Sequence, residues 1–91
     1  MKTASNIRTP VVAGQFYPAD RHELEQQLQH FYRKAGAQEK TQARGVLAPH
    51  AGYVFSGATA AQAFAAVEIP KNVILLGPNH QGRGARAAVY D

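Results

Sequence analysis

Cysteine is absent from all 91 residues, which removes disulfides and thiolate ligands from consideration. No apolar run approaches the roughly 20 residues of a membrane-spanning helix, and the first ten residues lack the apolar core of a signal peptide. The expectation is a cytoplasmic chain with no membrane partner. Acidic residues are few: six Asp and Glu stand against ten Lys and Arg, for a formal net charge of +4. That excess invites a nucleic-acid reading, yet the basic residues are scattered and only Arg33 and Lys34 adjoin. Without a basic stripe or interleaved aromatics they read as a solvated surface, and no nucleic-acid partner is expected. Gly77, Gly82 and Gly84 follow an apolar run, but neither the GxGxxG spacing nor a P-loop ending is there, so a nucleotide site does not follow.

What is present suits one small globular domain, with 45% hydrophobic and 18% charged residues. The stretch from 45 to 84 organises it. Gly45-Val-Leu-Ala-Pro-His50-Ala-Gly-Tyr53 and Asn72-Val-Ile-Leu-Leu-Gly-Pro-Asn-His80-Gln-Gly82 repeat one pattern. A short apolar run ends at a proline, which cannot donate to a ladder, and a histidine follows within two residues. Between them, 56–67 is predicted helical, and Ser56 can cap it. Its alanine-rich sequence suits a helix lying close to a sheet. The whole has the order of a βαβ unit, so the predicted fold class is α/β, a parallel βαβ core with helices packed on the sheet. Such a crossover leaves the strands parallel, and both histidines then open on one edge. If the strands are neighbours, roughly 4.8 Å apart, the two imidazoles could share one metal ion or one substrate atom. The N-terminus of the intervening helix points to the same edge and would favour an anionic group.

Upstream, residues 1–9 read as a loose polar lead, and Phe16 and Tyr17, between Pro10 and Pro18, read as packing anchors. Asp20 stands three residues before Glu23, and Leu24, Leu28, Phe31 and Tyr32 fall at helical spacing, which predicts an amphipathic helix over 21–34, with Gly36 just past its end. His22 and His30 lie on it about 12 Å of rise apart, too far for one ion, and read as surface residues. The four consecutive apolar residues 73–76 mark a strand covered on both faces. The segment 86–90 reads as the start of a third strand. With sheet edges and faces left open, the expectation is a partial domain over 1–91, a fragment of a longer protein or an obligate assembler. Two imidazoles do not complete a zinc or iron site, and Asp20, Glu23, Glu25, Glu39 and Glu68 are poorly placed to supply a carboxylate.

The strings Leu47-Ala-Pro-His50-Ala-Gly-Tyr53 with Ser56-Gly57, Leu76-Gly-Pro-Asn-His80, and Val12-Ala-Gly-Gln-Phe-Tyr-Pro18 together resemble the Memo family, whose bacterial and archaeal members are called AmmeMemoRadiSam system protein B. The resemblance extends from about Arg8 onward. It implies the N-terminal portion of a larger Memo-like α/β domain, related in fold to class III extradiol dioxygenases, with a metal site best described for iron. Carried over by position, His50 and His80 would be metal ligands, and Tyr53 and Asn79 would line the pocket. Some relatives have a second histidine where Gln81 stands. The family's remaining ligands, a cysteine and further histidines, lie beyond these residues. The resemblance thus implies an iron(II)- or other divalent-metal-dependent, dioxygenase-like redox protein acting on a small-molecule or peptide ligand, here with an incomplete site and inactive as a fragment. It also implies a partner radical SAM system. The alternative is a non-enzymatic binding module that uses the same cleft for a peptide or protein, as vertebrate relatives have been regarded.

Overall fold

Two helices carry the regular structure of this computed structural model, which describes residues 7–84 and 86. The first, α1, is Arg21–Ala35. Asp20 starts it: its backbone is extended and its carboxylate accepts the Glu23 N–H at 2.9 Å, satisfying one of the donors that a helix start leaves open. Gly36, at φ +79°, ends it and donates its own N–H back to the carbonyls of Tyr32 and Arg33. That conformation suits glycine.

The second helix, α2, is Tyr53–Ala65. It begins three residues before the predicted start, and Ser56 is not its cap. Gly52 holds the N-cap position with no side chain to offer. Ser56 lies inside the first turn, where its hydroxyl donates to the Ala51 carbonyl at 2.9 Å. The acceptor for the first helical N–H comes from elsewhere in the chain: Tyr53 N–H donates to the Phe16 carbonyl at 2.7 Å.

The helices pack on each other through the small residues of α2. Gly57 and Ala61, four apart, are its buried positions, and a Cβ on Gly57 would stand 2.5 Å from the Phe31 ring of α1. The small-residue face, expected against a sheet, is thus used to bring α2 close to α1. Among the described residues no strand forms. Segments 45–48 and 72–76 join no ladder, although the chain just before them meets once: Thr41 and Val67 form an isolated parallel bridge, with Thr41 N–H on the Ala66 carbonyl and Glu68 N–H on the Thr41 carbonyl, both at 3.0 Å. Residues 7–9 of the predicted loose lead are exposed and irregular. The rest of that lead, and the third expected strand apart from Arg86, lie outside the described residues.

Candidate functional site

His50 is held in the loop before α2. Behind it, Ala51 accepts the Ser56 hydroxyl, and the Gly52 carbonyl accepts the N–H groups of Phe55 and Ser56 at 2.9 and 3.0 Å. His80 is carried by a turn that Asn79 organises: its side-chain oxygen accepts the Gly82 N–H at 3.0 Å, and its amide nitrogen donates to the Arg83 carbonyl at 2.7 Å. Gly82, at φ +64°, supplies the left-handed step of that turn. The two loops bring the imidazoles together, with ring centroids 5.4 Å apart and planes inclined by 36°. Both residues are exposed to solvent.

This spacing can be tested against a shared ion. Two imidazoles that each place a nitrogen about 2.0–2.1 Å from one metal hold their centroids roughly 5 Å apart. The observed pair fits as two donors of a set. Among the described residues no group of three His, Cys, Asp or Glu side chains converges there or elsewhere. His22 and His30 lie exposed on α1, and the His30 ring neighbours Phe31. Of the other two site candidates, Tyr53 sits at the first position of α2, with its ring 5.4 Å from that of Tyr17. Asn79 spends both polar atoms inside the loop that carries His80.

The family model described as Memo-like protein matches residues 8–91. The chain belongs to the Memo-like family. A MEMO1 family protein of Aquifex aeolicus (strain VF5) is 45% identical over 84 residues, covering 92% of this chain and 31% of that relative. A MEMO1 family protein of Thermococcus onnurineus (strain NA1) is 46% identical over 89 residues, covering 92% of this chain and 30% of its own length. One from Nitrosopumilus maritimus (strain SCM1) is 45% identical over 89 residues, with coverages of 90% and 32%. The chain therefore spans about a third of the length of these Memo-like relatives. No solved structure matches it at a significant level.

Sequence reasoning overlooked the part that Phe16 and Tyr17 play at the start of α2. A signal was available. Gly52 offers no side-chain oxygen, so a helix beginning at Tyr53 needs an acceptor from another segment.

Proposed function

We propose that His50 and His80 are two of the protein ligands of a divalent metal, iron(II) in the first instance, in a dioxygenase-like redox protein. The observation that carries this reading is the 5.4 Å separation of the two rings. Membership of the Memo-like family supports it, as does the chemistry of imidazole, a donor that suits iron, zinc, copper and nickel alike. The reading includes an α/β arrangement in which 45–48 and 72–76 run as neighbouring parallel strands of a larger Memo-like domain. The parallel bridge between Thr41 and Val67 supports that direction.

When bound, a redox-active ion supplies the one-electron chemistry that side chains lack. The chain's own residues orient it. His50 and His80 would donate ring nitrogens, Asn79 ties the turn that carries His80, and Tyr53 would line the pocket for a small-molecule or peptide ligand. A radical SAM enzyme is the partner this reading carries. No helix among the described residues is long and apolar enough to cross a membrane.

The test is an anaerobic iron(II) titration of this chain beside zinc(II), with a double His50→Ala, His80→Ala variant. One-to-one uptake that the double variant loses supports the reading, whereas equal uptake by both defeats it. A second reading, capture of a peptide without chemistry, is favoured by Val54 and Phe55, which stand 80% and 87% exposed directly after Tyr53. Under it, peptide retention on an immobilised chain survives loss of both histidines and falls on Phe55→Ser.

A further inference from the structure

The start of α2 poses a local problem. Its first N–H groups have no partner within the helix, and the N-cap, Gly52, has no side chain to supply one. The solution comes from the segment 12–17. There Gln15 and Phe16 donate to the Val12 carbonyl at 3.0 and 2.9 Å, Gly14 donates to the Tyr17 carbonyl at 2.7 Å, and Gly14 takes φ +85°. This turn is closed by its own hydrogen bonds. It presents two groups to α2: the Phe16 carbonyl, which accepts Tyr53 N–H at 2.7 Å, and the Tyr17 ring, which lies against the Tyr53 ring. The two backbones are in contact here: a Cβ on Gly52 would stand at van der Waals distance, 3.6 Å, from the Phe16 carbonyl oxygen.

We propose that Tyr17 is a positioning residue for the His50–His80 pair, acting through Tyr53. From Tyr53 the constraint passes along a short latched loop, since Ala51 and Gly52 are both tied to Ser56 and His50 is the next residue upstream. A binding constellation must hold its geometry to about 0.5 Å, so a shift of Tyr53 by a fraction of an ångström is felt at the imidazole. Tyr17 itself touches neither histidine through a ring contact. It works by pressing Tyr53 onto the Phe16 carbonyl. The inference rests on the metal reading for its functional meaning, but its structural core stands apart from it.

The experiment therefore reads both. Tyr17→Ala, Tyr17→Phe and, as a control for general loosening, Phe31→Leu at the α1–α2 seam are compared with the unaltered chain. Three quantities are followed: hydrogen exchange of the Tyr53 amide, the nuclear Overhauser contact between the His50 and His80 rings, and cobalt(II) affinity from its visible spectrum. Tyr17→Phe keeps the ring and is expected to behave as the unaltered chain in all three. Tyr17→Ala is expected to speed exchange at Tyr53, lose the ring contact and weaken cobalt(II) binding about tenfold, the loss typical of a residue that supports a ligand from behind. Phe31→Leu is expected to speed exchange across both helices while keeping the ring contact. If Tyr17→Ala preserves the ring contact, or Phe31→Leu abolishes it equally, the positioning role is wrong. If the unaltered chain shows the ring contact and takes up no cobalt(II), the metal reading fails, and exchange and ring contact still decide the role of Tyr17.

Discussion

Gly57 and Phe31 share a space that admits no methyl group. A Cβ at position 57 would come within 2.5, 2.8 and 2.9 Å of three atoms of the Phe31 ring, so the ring must shift to admit it. Overpacking costs about 1–3 kcal/mol, while replacing a mid-helix glycine by alanine returns about 1 kcal/mol of helix propensity. Gly57→Ala is thus expected to cost about 1 kcal/mol net, read from urea unfolding followed at 222 nm. The same change made in Phe31→Leu, where the ring is gone, is expected to stabilise by up to about 1 kcal/mol; a Gly57→Ala chain that proves more stable on its own would show the seam to be looser. Two polar residues make a second contrast. Asp20→Ala removes a true N-cap and is expected to cost about 1 kcal/mol, with faster exchange at the Glu23 amide. Ser56→Ala removes only a hydroxyl bonded back to Ala51 within the first turn, and is expected to cost less than half as much. Equal losses for the two would mean that Ser56 caps α2 after all.

At the scale of elements, α1 was legible because everything that starts and stops it is local. Asp20, Glu23 and Gly36 lie within one turn of its ends, and the apolar residues between them repeat at helical spacing. The start of α2 was not legible in the same way. Its acceptor is the Phe16 carbonyl, remote in sequence, and a main-chain oxygen leaves no trace in residue type. Ser56 drew the boundary inward because serine before an alanine run is the usual cap. The juxtaposition of His50 and His80 was expected from the matched position of each histidine behind its proline together with a parallel crossover, and among the described residues the two rings meet without those strands forming. The turn under His80 offers a test. Asn79→Ala removes a donor and an acceptor together, and is expected to speed exchange at the Gly82 amide and weaken iron(II) uptake about tenfold. Asn79→Asp keeps the acceptor for Gly82 and is expected to fall between. Uptake unchanged in Asn79→Ala would remove that residue from the support of His80.

Across the whole molecule, little apolar surface is withdrawn from water. Ala61 is the one hydrophobic residue buried among the described residues, while Leu47, Ile74, Leu75 and Leu76 stand 89–95% exposed. The radius of gyration, 15.3 Å, exceeds the roughly 12 Å of a compact domain of this length. The apolar run 73–76 predicts a strand covered on both faces, and among the described residues it pairs with no other segment. The chain alone is accordingly expected to melt broadly and to bind the dye ANS. Ile74→Lys with Leu76→Lys is expected to reduce dye binding while changing helix content little, since exposed positions away from such contacts usually stay within about 0.5 kcal/mol. A sharp transition above about 60 °C without dye binding would contradict this picture. Among the ties that join distant parts of the chain is the bond from Tyr53 N–H to the Phe16 carbonyl. Because it is written in main-chain atoms, position 16 is free to drift through many side chains without cutting it. At position 53 the tolerance is one-sided: a proline would suit the first helical position and erase the donor, leaving a helix correctly begun but cut loose from the segment that carries Phe16.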